Sequence, residues 1–204
     1  MKKQWSMVVV AMFVTSLGAV CALADDKTDV GNTAKAWATA LMAGDVAGVK
    51  SHSTGTEEQV AHWEAMSKMI GAFQKLGDAA KAKYGDEGAM MSRMMRKPDF
   101  SQFENQANIE VKGNQATITG NGKNENKMQL KKDGGEWKVE LGSLTEVAKM
   151  DDKRLTGMSE AASTTATEIS DGKYPTYREA MVAFGRKMAA LNGGRPGARP
   201  GAPR

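Results

Sequence analysis

A chain of 204 residues, 41% hydrophobic and with a single cysteine, is long enough to bury an apolar core and cannot rest on disulfide staples. The net charge of +4 belongs to the ends. Lys2, Lys3, Arg195, Arg199 and Arg204 are five of the 28 basic side chains, which leaves 23 basic against 24 acidic groups in the body. A near-neutral body with no basic stripe is not the pattern of a nucleic-acid-binding domain.

The chain opens with Lys2 and Lys3, an apolar run over residues 7–20, and Ala22-Leu23-Ala24 followed by two aspartates. This is the layout of a secretory signal peptide covering residues 1–24 and cut after Ala24. The apolar run is shorter than the about 20 residues that a membrane span needs, so no span is expected after cleavage. Cys21 offers a competing route, lipoprotein processing, but Val20 is larger than the residue that peptidase prefers. The expected product is secreted or periplasmic, with a single domain over 25–193 and a Pro/Gly/Arg tail over 194–204 that reads as disordered.

Beyond a polar lead-in at 25–31, Asn32 or Thr33 is placed to cap a first helix carrying Ala34, Trp37, Ala38 and Leu41 on one face. Gly44 ends it and Asp45 caps a short second helix through Val46 and Val49. Residues 51–55 break the pattern. Thr56 and Gln59 then form a capping box that opens a long helix. Its apolar seam runs through Trp63, Met66, Ile70, Phe73, Gly77, Ala80 and Tyr84 to a stop at Gly85. A further helical piece, 86–96, precedes Pro98.

The period then falls from three or four to two. Ile109 and Val111, Ala116 and Ile118, Met128 and Leu130, and Trp137, Val139 and Leu141 alternate with polar residues. Gly113-Asn114 and Asp133-Gly134-Gly135 supply the turns, so two hairpins are predicted. A four-stranded antiparallel sheet with one apolar face needs a cover, and the long seam is the expected one. Two more helices follow. One carries Leu155, Met158, Ala162, Ala166 and Ile169 and ends at Gly172. The other opens on a Thr176–Glu179 capping box, carries Tyr177, Met181, Phe184, Met188 and Leu191, and closes at Asn192-Gly193. The predicted class is α+β: N-terminal helices, one of them long, packed on four antiparallel strands, with two C-terminal helices.

Residues 36–50 (AWATALMAGDVAGVK) form a helix that ends in an Ala-Gly-Asp turn and leads into a short helix. With the paired hairpins at 111–118 and 131–139, this resembles the nuclear-transport-factor-2-like, cystatin-like cone superfamily, in particular its secreted bacterial members related to lumazine-binding-like domains. The resemblance covers roughly residues 33–141. It implies a curved sheet able to hold a small ligand, in a superfamily of enzymes and non-enzymes alike. The long third helix and the two helices after Leu141 depart from that pattern.

Relatives of the polyketide-cyclase and ketosteroid-isomerase kind place acid–base residues inside the cone. Here the inward strand residues are apolar, and His52 and His62 sit off the seam. A non-enzymatic binding or interaction module is therefore expected, with no cofactor and no nucleic acid. Its partner would be a small hydrophobic ligand, another protein, or a second copy meeting it through the sheet. Trp37, Trp63, Phe73 and Trp137 are the candidate ligand-stacking residues, although large aromatics also dominate cores. An isomerase-like enzyme is the first alternative. The second is a periplasmic Cu(I)- or Ag(I)-handling protein, since Met90, Met91, Met94 and Met95 place thioethers side by side on a helix. Abundant methionine also fills irregular core gaps.

Overall fold

The computed structural model describes residues 26–94, 108–120, 127–144 and 150–191. The signal segment, Met95, Pro98, the loop tip 123–126, the stop at Asn192-Gly193 and the tail lie outside the described residues.

Helix α1 covers 26–43, so helical structure is already in place where a polar lead-in is expected and does not wait for a cap at Asn32 or Thr33. Val30 explains the difference. It is fully buried and extends the stripe of Ala34, Trp37 and Leu41 back by one turn. Asp26, read from sequence as lead-in, accepts hydrogen bonds from Lys132 Nζ at 2.7 Å and Trp137 Nε1 at 3.1 Å. Gly44 then turns the chain at φ +70°, a left-handed conformation that favours glycine. Asp45 caps α2 (Val46–Ser51) by accepting from the Gly48 N–H at 3.0 Å.

The break at 51–55 holds a strand. β1 (Ser53–Thr54) pairs in parallel with β5 (Glu136–Glu140). The sheet therefore has five strands and is mixed, in the order β1-β5-β4-β3-β2, where β2 is Asn108–Lys112, β3 Gln115–Thr119 and β4 Lys127–Asp133. The two predicted hairpins are present as antiparallel pairs, Ile109 opposite Ile118 and Leu130 opposite Val139. β1 has no alternating pattern to announce it. It is held by its partner strand and by Ser53, whose hydroxyl accepts from Trp37 Nε1 at 3.1 Å and donates to the Val49 carbonyl.

Helix α3 (Glu57–Tyr84) opens on the predicted capping box, with Gln59 N–H to Thr56 Oγ1 at 3.3 Å and Thr56 N–H to Gln59 Oε1 at 3.0 Å. α4 (Asp86–Met94) follows the Gly85 turn. After β5 come a 3-10 turn (Leu141–Leu144), α5 (Asp152–Ser170) and α6 (Tyr177–Leu191).

The long seam does not lie wholly on the sheet. Trp63 and Met66 share a core with Val30, Ala34 and Trp37 of α1 and with Ile118, Leu130, Trp137 and Val139 of the sheet. Ala72, Leu76 and Ala80 belong to a second core with Ala162, Ala166 and Ile169 of α5 and Ala180 of α6. Helices α1 and α3 both contribute to the core on the sheet, and α5 packs along α3. Phe73 faces the C-terminal helices, its ring 5.6 Å from that of Phe184.

The two cores meet where α1 ends against α3. A Cβ at Gly44 would lie 2.5 Å from Gly71 Cα. Gly113 has a similar φ of +61° but nothing within 4 Å. Gly113→Ala should therefore cost only the strain of its φ, about 1 kcal/mol, whereas Gly44→Ala adds a backbone collision and should cost about 2–3 kcal/mol. Urea denaturation of the two variants checks this, and equal losses would refute the close approach.

Candidate functional site

The sequence-predicted stacking residues split between the two cores. Trp37, Trp63 and Trp137 are 4%, 3% and 5% exposed. The Trp37 and Trp63 rings meet edge to face at 5.2 Å, and Trp63 does the same with His62 at 6.1 Å. Trp137 lies beneath Lys132, whose ammonium is 5.3 Å from the ring centroid. Phe73 stands in the other core, so the four do not form one cage.

Lys132 escaped the alternating pattern. It pairs with Trp137 across the β4–β5 hairpin and is half-buried at the rim of the inner face, where its charge is answered by Asp26. Hydrogen bonds from Lys132 and then Trp137 hold the Asp26 carboxyl below its ordinary 3.8. His62 is likewise engaged, its Nδ1 2.6 Å from Asp152 Oδ1 at the start of α5. His52 caps α2, and its carbonyl accepts from the Val139 N–H at 2.9 Å. Of the methionine group, Met90 is 64% exposed on α4, and Met91 and Met94 belong to the same helix.

The densest polar constellation joins α5 to α6 and was missed from sequence. Glu168 receives Lys173 Nζ at 2.6 Å, the Tyr174 hydroxyl at 2.6 Å, and Lys187 Nζ. Hydrogen bonds from Lys173, then Lys187 and Tyr174, lower the Glu168 carboxyl from 4.5 to about 2. The same contact with Glu168 raises Lys173 and, together with burial, Tyr174. Tyr84 of α3 donates to the Tyr174 carbonyl at 2.9 Å, and burial raises its hydroxyl. A sequence signal existed. Glu168 sits in the last turn of α5, where a carboxylate opposes the helix dipole unless cations answer it.

This clamp fixes the Lys173–Pro175 turn, and the Thr176–Glu179 capping box fixes the start of α6. Between them lies a groove of about 430 Å³ lined by Tyr174, Arg178, Glu179, Val182, Ala183 and Arg186 among others. Arg178 and Arg186 are exposed and make no ion pair among the described residues, and Val182 is 47% exposed. Two other depressions are more polar in their lining. One of about 330 Å³ lies by Thr54, Gln59, Lys131 and Glu140; the other, of about 440 Å³, lies by Lys68, Lys75, Asp78 and Ser163. None of the three is lined by the buried tryptophans. Compared with known proteins, the chain matches no family, no curated protein and no solved structure.

The clamp has a pH signature. Glu168 binds its proton more weakly in the folded chain, so its contribution is complete above about pH 5 and fades as the unfolded chain protonates near 4.5. It is gone once pH falls through about 2. Glu168→Gln should therefore lose about 1–2 kcal/mol at pH 7, after discounting for solvent screening, and little at pH 2. Denaturant midpoints of both chains between those limits measure the gap. A gap that does not narrow in acid would sink this account.

Proposed function

We propose that the protein is an exported, non-enzymatic interaction module of the cone-like α+β kind, and that it binds through its outer surface. The observation that carries this reading is the filling of the sheet's inner face. Trp37, Trp63 and Trp137, with Leu130 and Val139, pack against the sheet's inner face, where a cone of the kind the sequence resembles would hold a ligand, and each is at most 5% exposed. Close-packed interiors leave no room for a guest without repacking. The groove along α6 is the binding surface this reading favours, because it offers unpaired cations beside exposed apolar area.

The mature chain has three tryptophans, all in one core. Titration with a small uncharged hydrophobic probe that does not absorb tryptophan emission, such as cyclohexanol, should leave their emission and the thermal midpoint unchanged. A saturable change in tryptophan emission would overturn surface binding in favour of an internal pocket.

Met90 favours a second reading, a thioether site for a soft cation. It is exposed, and Met94 follows it by one helical turn. Cu(I) or Ag(I) should then raise the thermal midpoint, and Met→Leu replacements at 90, 91, 94 and 95 should abolish the rise. No rise in the parent chain ends this alternative.

A further inference from the structure

The exposed face of α6 is self-complementary, and we infer that it is where a second copy of this chain docks, with the two α6 helices antiparallel. The inference rests on the surface-binding reading above and names the partner.

Glu179 and Arg186 are seven residues apart, two helical turns or about 10 Å, and therefore share a face. Both line the groove, with Val182 and Ala183 midway between them. A two-fold axis passing beside Val182 and Ala183 sets Glu179 of each copy opposite Arg186 of the other. Val182 then lies against Ala183 of the second copy. An isologous contact requires this kind of pairing, in which one patch supplies both signs. One carboxylate oxygen of Glu179 accepts from the Thr176 N–H, and the other remains for a second acceptor role.

The side chains along this face are small enough for two helices to approach. Ala183 stands beside Val182 in the groove, and the Lys173–Pro175 turn forms one wall that a helix would pass.

A helix of 15 residues is about 22 Å long, so a single helix pair covers only part of the roughly 800 Å² per partner typical of stable complexes. The association is accordingly concentration-dependent. It uses α6 and leaves the sheet free.

Sedimentation velocity on the mature chain, taken to about 500 µM, tests the inference. The wild type should show a reversible monomer–dimer equilibrium. Arg186→Glu should weaken it about tenfold or more, because it sets two carboxylates opposite each other, and Glu179→Lys should do the same with two cations. An equimolar mixture of the two variants should recover association to within about threefold of the wild type, since both contacts are then attractive. Glu179→Gln keeps the capping box and separates loss of charge from loss of the cap. A wild type that stays monomeric, an Arg186→Glu chain that dimerises as before, or a mixture that does not recover would each overturn the inference. A monomer that instead binds polyglutamate or phosphatidylglycerol vesicles through Arg178 and Arg186 overturns the second-copy assignment and leaves surface binding intact. A probe entering the tryptophan core overturns surface binding itself.

Discussion

The length of α3 is the constraint on which the architecture depends. A helix of 28 residues is about 42 Å long, whereas the longest strand, of seven residues, spans about 23 Å. The sheet cannot cover such a helix from end to end. Trp63 and Met66, near its start, fall within reach of α1 and the strands, while Leu76 and Ala80, further on, need another cover. Helices α5 and α6 supply it. The C-terminal helices are thus the completion of a core that the sheet leaves half-built. Leu155, the first buried residue of α5, still belongs to the sheet-side core, so α5 crosses the boundary between the two.

Features written in short stretches of chain were legible in the sequence. The Asp45 cap, the Thr56–Gln59 and Thr176–Glu179 capping boxes and both hairpin turns depend on residues three or four apart, and all are formed. Features set by distant partners were not legible. β1 is two residues long and exists because β5 lies beside it, a pairing no local period can signal. The early start of α1 is masked by polar residues whose role appears only when Lys132 and Trp137 arrive from the sheet. The seam of α3 was visible as apolar positions, but periodicity identifies a buried face without identifying what buries it.

The candidate site divides in the same way. The indoles of Trp37, Trp63 and Trp137 stood out as large aromatics on predicted inner faces, and they are indeed inward. Their membership of one buried core, with Trp37 edge to face against Trp63, is a fact of packing that periodicity could not supply. The Glu168 clamp draws one carboxylate from α5, two donors from the turn and one from α6, so no spacing rule could have assembled it. Only the unfavourable place of a glutamate in a last helical turn hinted at cations nearby.

The outward face of α6 follows from its inward chemistry. Ala180 is fully buried beside Met181 and Phe184, and Lys187 must reach Glu168 across the α5–α6 junction. These contacts fix the rotation of the helix about its axis, since a step of one residue would turn it by about 100° and withdraw Lys187 from the clamp. With that rotation set, Arg178, Val182 and Arg186 can only point away from the core, and Glu179 is held among them by the cap it makes with Thr176. The exposed face of α6 is therefore a consequence of how the second core closes. A change that loosens the clamp would blur that surface even though it touches none of its side chains.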